Sequence, residues 1–261
     1  MIKVSAAIII RDKKLLLVKQ KNRDYWTPPG GLVDEGETPE EACLRETKEE
    51  IGVEVEIVTS LKTEKRWWPQ RNDFLKIHNF LVSVQSGEHH CVDNNDCGDV
   101  ENIAWATIKQ FPDYGTSVRT AVLFLEGLVR TEALKSHCLI VKNACVAVKN
   151  NEVLLVAHNR ILPDEEFCER EGCMRKKWGI GGGRQLEHCS AVHAEANLIA
   201  KAARSGVSLK GAILYVTTFP CSMCARSIAV SEIKKVVYFD DYVYENGREI
   251  LERAGVALVK L

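Results

Sequence analysis

Between Gly31 and Val53 the chain reads GLVDEGETPEEACLRETKEEIGV, with 8 acidic residues among 23 and only Arg45 and Lys48 basic. Like charges at helical spacing repel, so a fold that keeps this segment must supply something to offset them. The helical start is strong: Thr38 can cap, Pro39 suits the first helical position and Glu41 completes a capping box. Gly52 suits the C-terminal stop. At about 100° per residue, with Glu46 as origin, Glu50 falls at about 40°, Glu49 at about −60°, and Leu44, Thr47 and Ile51 at about 100–160°. The expectation is one packing face and one carboxylate face. Converging carboxylates suit a hard ion, Mg²⁺ or Mn²⁺. Such an ion would offset the repulsion, bridge a diphosphate and activate a water. Three glutamates alone would more commonly form a solvated acidic face, and the wider pattern decides against that.

Gly31, five residues, Glu37, seven residues, then Arg45-Glu46-x-x-Glu49-Glu50-x-Gly52-Val53 resembles the Nudix box at every charged and glycine position. WTPPGG just before it is similar to that family's approach to the box. Thr47 departs from the usual aliphatic residue, which bears on packing rather than chemistry. The resemblance covers roughly residues 1–130. It implies an α/β/α sandwich that hydrolyses a nucleoside diphosphate linked to a further group. It also implies that Glu46, Glu49 and Glu50 hold the divalent metal, helped by Glu37 and the Gly31 carbonyl. Arg45 would orient a glutamate on the substrate side, and Glu49 ranks first as base.

The rest of the chain shows no global pull toward nucleic acid or anionic membrane, because the formal net charge is −1. MIKVSAAIII running into RDKK reads as strand and turn rather than a leader. No apolar run approaches about 18 residues, so a soluble cytoplasmic protein is expected. Ten cysteines are many for such a protein, and seven fall between Cys138 and Cys224. In that compartment metal thiolates are a better explanation than disulfides.

The elements fall into two α/β parts. Residues 3–10 and 14–20 are hairpin-like. Strand-like runs lie near 53–62 and 73–84, a polar loop at 86–99, a short strand at 103–105 and a helix from about 116 to 135. A second hairpin, 144–148 with 153–158, precedes a long irregular stretch. Then come helix 191–204, strand 212–218, helix 221–231, strand 235–239, helix 246–254 and strand 256–260. Strands alternating with helices imply a sheet with helices on its faces. Two closely joined domains, 1–130 and 131–261, are expected, with the boundary somewhere within 115–140.

His193-Ala194-Glu195 opens a helix, and 25 residues later comes Pro220-Cys221-Ser222-Met223-Cys224. Both sulfurs can face one point at a helix N-terminus, where the dipole and a metal favour thiolate. One His and two Cys give Zn²⁺ three protein ligands and leave a fourth position for water. Glu195 can shuttle that water's proton, as in the H-x-E…P-C-x-x-C pattern of zinc nucleobase deaminases. A structural zinc or redox CxxC would leave Glu195 or His193 unexplained.

The stretch VHAEANLIAKAARSGVSLKGAILYVTTFPCSMCARSIAVSEIKKVVYFDDY resembles deoxycytidylate (dCMP) deaminases along its length, and HCLIVKNACVAV is similar to their opening. A cytidine-deaminase-like α/β/α three-layer fold is implied. Asn159 falls where that family has an asparagine contacting the sugar. Transfer-RNA adenosine deaminases share HAE and PCxxC, but the tail beyond Tyr238 differs from theirs. Cys138, Cys168, Cys173 and Cys189 resemble cysteines that in some members hold a structural zinc, with His188 as a substitute; packed reduced thiols are the other reading. The insert MRKKWGIGGGRQ, 174–185, departs from the family. Its Arg184 is a candidate phosphate contact on a glycine-rich flap, against a plain solvated loop. His89, His90, Cys91 and Cys97 are expected in a polar loop over the substrate mouth of the first domain.

Together the resemblances imply nucleotide substrates, hydrolysis of dCTP to dCMP and pyrophosphate, then deamination of dCMP to dUMP. Deamination of the triphosphate first would reach the same product. The alternatives are removal of modified cytidine nucleotides, a Nudix fold that only regulates the deaminase, and action on tRNA. Membrane and nucleic-acid partners are not expected, and a homo-oligomer is.

Overall fold

The computed structural model describes residues 1–21, 23–87, 99–181, 184–242 and 246–261. His89, His90, Cys91 and Cys97, and Gly182 and Gly183 of the glycine-rich insert, lie outside the described residues. The chain divides into two units, Met1–Gly127 and Leu128–Leu261. Among the described residues no helix is long and apolar enough to cross a membrane.

The first unit runs β1 (Ile2–Ile8), β2 (Ile10–Arg11), β3 (Lys14–Gln20), β4 (Gly30–Leu32), α1 (Pro39–Ile51), β5 (Glu54–Ser60), β6 (Glu64–Trp68), β7 (Asp73–Ser86) and β8 (Val100–Ala106), and ends in the first part of α2 (Val118–Leu134). One sheet has the order β4-β1-β7-β5 with β6 also on β7, and a smaller one the order β2-β3-β8. The apolar run 3–10 is therefore not one arm of a plain hairpin. It changes sheets at Ile9: β1 pairs parallel with β7, and only Ile10 and Arg11 pair with β3. The end of β1 is buried on both faces, Ala7 on one and Ile8 on the other. Ala7 packs with Phe80, Val82, Cys43 and Ile51 on the α1 side. Ile8, with Ile10, faces Gly127 of α2, where an added Cβ would come within 3.1 Å of Ile8 and 2.8 Å of Ile10. Strand β6 was not legible in the sequence, because EKRWW is an edge segment without alternation.

The expected capping box on α1 is present. The Glu41 N–H donates to Thr38 Oγ1 at 3.2 Å and the Thr38 N–H donates to Glu41 Oε2 at 2.8 Å. Gly52 ends the helix at φ 71°, its N–H donating to the Lys48 carbonyl. Thr47 is fully buried and its hydroxyl donates to the Cys43 carbonyl at 2.6 Å, which satisfies the polar group that replaces an aliphatic one.

The second unit contains the rest of α2, then β9 (Ala144–Lys149), β10 (Glu152–His158), β11 (Arg160–Ile161), α3 (Phe167–Glu171), α4 (Met174–Lys177), β12 (Ala191–Val192), α5 (Ala194–Ser205), β13 (Ile213–Thr218), α6 (Ser222–Val230), β14 (Lys235–Asp240), α7 (Asn246–Arg253) and β15 (Ala257–Lys260). Its sheet has the order β10-β9-β13-β14-β15, with β13, β14 and β15 parallel. Parallel neighbours need crossovers, and α6 and α7 supply them. The stretch expected to be irregular contains β11, α3 and α4, while β12, paired with β11, takes residues 191–192 where a helix was expected to begin, and α5 starts at Ala194. Helix α5 packs through Leu198 and Ala202 against Leu214, Val216 and Ile228. Leu198 is fully buried. Leu198→Ala is expected to cost about 2–5 kcal/mol, read as a lower urea midpoint for the second unit.

Candidate active sites

Helix α1 does not present its glutamates as one solvent-facing cluster. Its buried stripe is Ala42, Cys43, Thr47, Glu50 and Ile51, while Leu44, expected on the packing face, is exposed. Glu50 is 8% exposed. It is held in place because its Oε1 accepts from Gln20 Nε2 at 2.9 Å and its Oε2 from the Gly30 N–H at 2.7 Å. The Glu49 side chain is 59% exposed.

Arg45 lies among the other carboxylates. Its Nε and Nη2 donate to the two oxygens of Glu37 at 2.9 and 3.0 Å, and Nη2 also donates to the Leu32 carbonyl. A single atom, Nη1, donates to Glu46 Oε1 at 2.9 Å and to Glu49 Oε2 at 3.1 Å. The hydrogen bonds from Arg45 and from the Asp34 N–H hold the Glu37 carboxyl below its usual range. Burial pushes the Glu46 carboxyl up despite Arg45. Gly31 lies directly under Glu46: an added Cβ would sit 2.2 Å from Glu46 Oε1. Glu46 and Glu49 thus converge on one positive group beside the β4 backbone, and hard oxygen donors so placed fit a divalent cation.

The second site forms where two helices begin beside the carboxyl end of β13. His193 is the N-cap of α5, Cys221 the N-cap of α6, and Cys224 lies in the first turn of α6. His193 Nδ1 is 3.4 Å from the Cys221 sulfur and 3.5 Å from the Cys224 sulfur. Among the described residues this is the one group of three or more metal-type ligands with donor atoms all within 4.8 Å. The hydrogen bond from Cys224 draws the Cys221 thiol well below its usual range, with help from His193. Cys224, donating to Cys221 and buried, is pushed well above it. The hydrogen bond to Cys221 raises His193. Two sulfurs and an imidazole, buried and already sharing protons, fit a soft or borderline divalent ion. Glu195, 8% exposed, has its carboxyl raised by burial.

His193, Glu195 and Cys221 line a cavity of about 30 Å³ with Asn143, Thr218 and Tyr242. Sequence reasoning missed Asn143. Its Oδ1 accepts from the hydroxyls of Thr217 at 3.1 Å and Thr218 at 2.9 Å, which fixes the amide at the cavity edge. Nothing in the flanking residues signals it. Asn159 is 6% exposed and both its polar atoms have backbone partners: Oδ1 accepts from the Asn143 N–H and Nδ2 donates to the Val141 carbonyl. It holds the 141–143 segment in place.

Cys138, Cys168, Cys173 and Cys189 all line a second cavity of about 130 Å³, which also reaches His193. Burial first, then the other three sulfurs, raise the Cys168 thiol. His188 turns instead to Trp178, with ring centroids 5.2 Å apart. Arg184 is exposed and is not a lining residue of either cavity; Arg175 of the same insert lines the larger one.

Comparison with known proteins gives two family matches. A NUDIX domain matches residues 1–124, and a cytidine and deoxycytidylate deaminase zinc-binding region matches residues 124–240. A deoxycytidylate deaminase of Schizosaccharomyces pombe is 34% identical over 127 residues, 48% of this chain and 39% of that protein. One of Mycobacterium phage D29 is 35% identical over 117 residues, 43% of this chain and 88% of that protein. An RNA pyrophosphohydrolase of Shewanella sediminis is 31% identical over 140 residues, 49% of this chain and 78% of that protein. The chain spans between 35% and 63% of the length of the first five curated relatives it matches.

Burial holds the Glu50 carboxyl up at about 7, against an ordinary value of 4.5. The folded state therefore keeps a proton that the unfolded chain gives up as pH rises between those values. Metal-free protein should lose stability as pH rises from about 4.5 to about 7, by on the order of 3 kcal/mol from this group. Urea midpoints in chelator should show that slope in the wild type and its loss in Glu50→Gln.

Proposed function

We propose, for a chain that belongs to the NUDIX family through residues 1–124 and to the cytidine and deoxycytidylate deaminase family through residues 124–240, that it is a bifunctional nucleotide hydrolase and deaminase. The first unit converts dCTP and water to dCMP and pyrophosphate. The second converts dCMP and water to dUMP and ammonia. The observation that carries this is the convergence of His193 Nδ1 on both the Cys221 and Cys224 sulfurs, with Glu195 in the same cavity.

In this reading His193, Cys221 and Cys224 hold Zn²⁺. Bound there, the ion supplies the Lewis acidity that lets a water lose its proton near neutral pH. Glu195 takes that proton, delivers it to N3 of the cytosine as C4 gains oxygen, and then carries a proton to the departing amine. Burial raises this carboxyl above its ordinary value, the direction that favours its carrying a proton. Asn143, fixed by Thr217 and Thr218, borders the same cavity and can position the base or sugar.

In the first unit Glu46, Glu49 and Glu50, with Glu37 and the Gly31 carbonyl, would hold Mg²⁺ or Mn²⁺, the ion taking over carboxylate oxygens that Arg45 now bridges. The ion supplies positive charge to the phosphates. Arg45 holds Glu46 and Glu49 in register, and Glu49, the more exposed of that pair, accepts the attacking water's proton. Cys138, Cys168, Cys173 and Cys189 share one cavity and would have to draw closer to hold a second, structural zinc; the active assembly is a homo-oligomer.

Incubation with dCTP and Mg²⁺, following dCMP, dUMP and ammonia, tests the scheme. Glu195→Gln should stop at dCMP, lowering deamination by about 10²–10⁴-fold with zinc content unchanged by metal analysis. Glu50→Gln should leave dCTP intact yet still deaminate added dCMP. Ammonia from dCTP in that variant would reverse the proposed order. Faster turnover of a 5′-triphosphorylated oligoribonucleotide than of dCTP would move the first unit to RNA ends.

A further inference from the structure

The larger cavity of the second unit joins the metal-type triad at His193 to Arg175 of α4. Among the described residues its lining also includes Asn143, Asn159 and the four cysteines Cys138, Cys168, Cys173 and Cys189, and no carboxylate. The amide of Asn159 is committed to backbone, and the Asn143 carbonyl oxygen to Thr217 and Thr218. Arg175 Nε is different. It is one of two buried side-chain nitrogen or oxygen atoms among the described residues that lack a hydrogen-bond partner. The guanidinium is nevertheless fixed: Nη2 donates to the Gly181 carbonyl, and the Ile180 N–H closes the turn onto the Arg175 carbonyl at 2.8 Å. A buried cationic donor is costly to leave unpaired. The Nε edge of a guanidinium offers parallel donors that match the oxygens of a phosphate.

We infer that Arg175 is the residue that reads the phosphate monoester of a nucleotide whose base occupies the His193–Cys221–Cys224 centre. It thereby sets preference for the nucleotide over its nucleoside. This rests on the deaminase reading above and assigns that site's anion contact to Arg175 rather than to the exposed Arg184.

The test uses the zinc-loaded full chain. In Arg175→Gln the ratio of kcat/KM for dCMP to that for deoxycytidine should fall about 100-fold. Arg175→Lys, which keeps charge but loses the fork, should lower it about tenfold. By calorimetry, Arg175→Gln should weaken dUMP by about 100-fold and leave the affinity for deoxyuridine as in the wild type. A parallel loss for nucleotide and nucleoside, or dUMP binding as tight as in the wild type, would overturn the assignment. If the wild type deaminates neither dCMP nor deoxycytidine, the deaminase reading fails by itself. The comparison of dUMP with deoxyuridine still decides Arg175.

Discussion

The guanidinium of Arg45 donates to Glu37, Glu46, Glu49 and the Leu32 carbonyl. Those carboxylates come from one turn and one helix, and without a cation among them they would repel at short range. Arg45 answers that repulsion within the chain itself. It also ties α1 to β4 and to the turn before the helix. Glu50 is accommodated differently, turned into the interior and bonded to Gln20 and the Gly30 N–H. One acidic segment therefore contains two solutions to the same electrostatic problem, pairing and burial.

The second unit meets a related constraint with different chemistry. Its cysteines and histidine are brought together by the starts of α5 and α6, where unsatisfied N–H groups and the helix dipole favour negative sulfur. Helix α6 follows β13 directly, and Thr217 and Thr218 at the end of that strand line the same cavity as His193. Behind the site, buried Glu132 accepts from Lys135 Nζ at 2.8 Å and His158 Nδ1 at 3.0 Å. Against the burial that would raise it, these bonds hold its carboxyl below the usual value.

Much of this was legible in the sequence, where the signal is local. The capping box around Thr38, the stop at Gly52 and the placement of His193 and Cys221 at helix starts depend on residues a few positions apart. What was not legible depends on tertiary partners. The burial of Glu50 and exposure of Leu44 follow from which side of α1 meets the sheets, and helical spacing alone does not set that. Sheet exchange at Ile9 needed the close approach of Gly127, more than a hundred residues away. Asn143 and Arg175 gain their positions from Thr217, Thr218 and the Gly181 turn, none of which a linear motif announces.

The carboxylate of Glu46 rests on the bare Cα of Gly31. A strand position and a helix position are thereby locked sterically, so what one may hold depends on the other. Any bulk gained at 31 must be surrendered at 46, by shortening the acid or turning it away. Diversification aimed at altered metal preference would therefore do better to vary the two codons as a pair than to scan them singly.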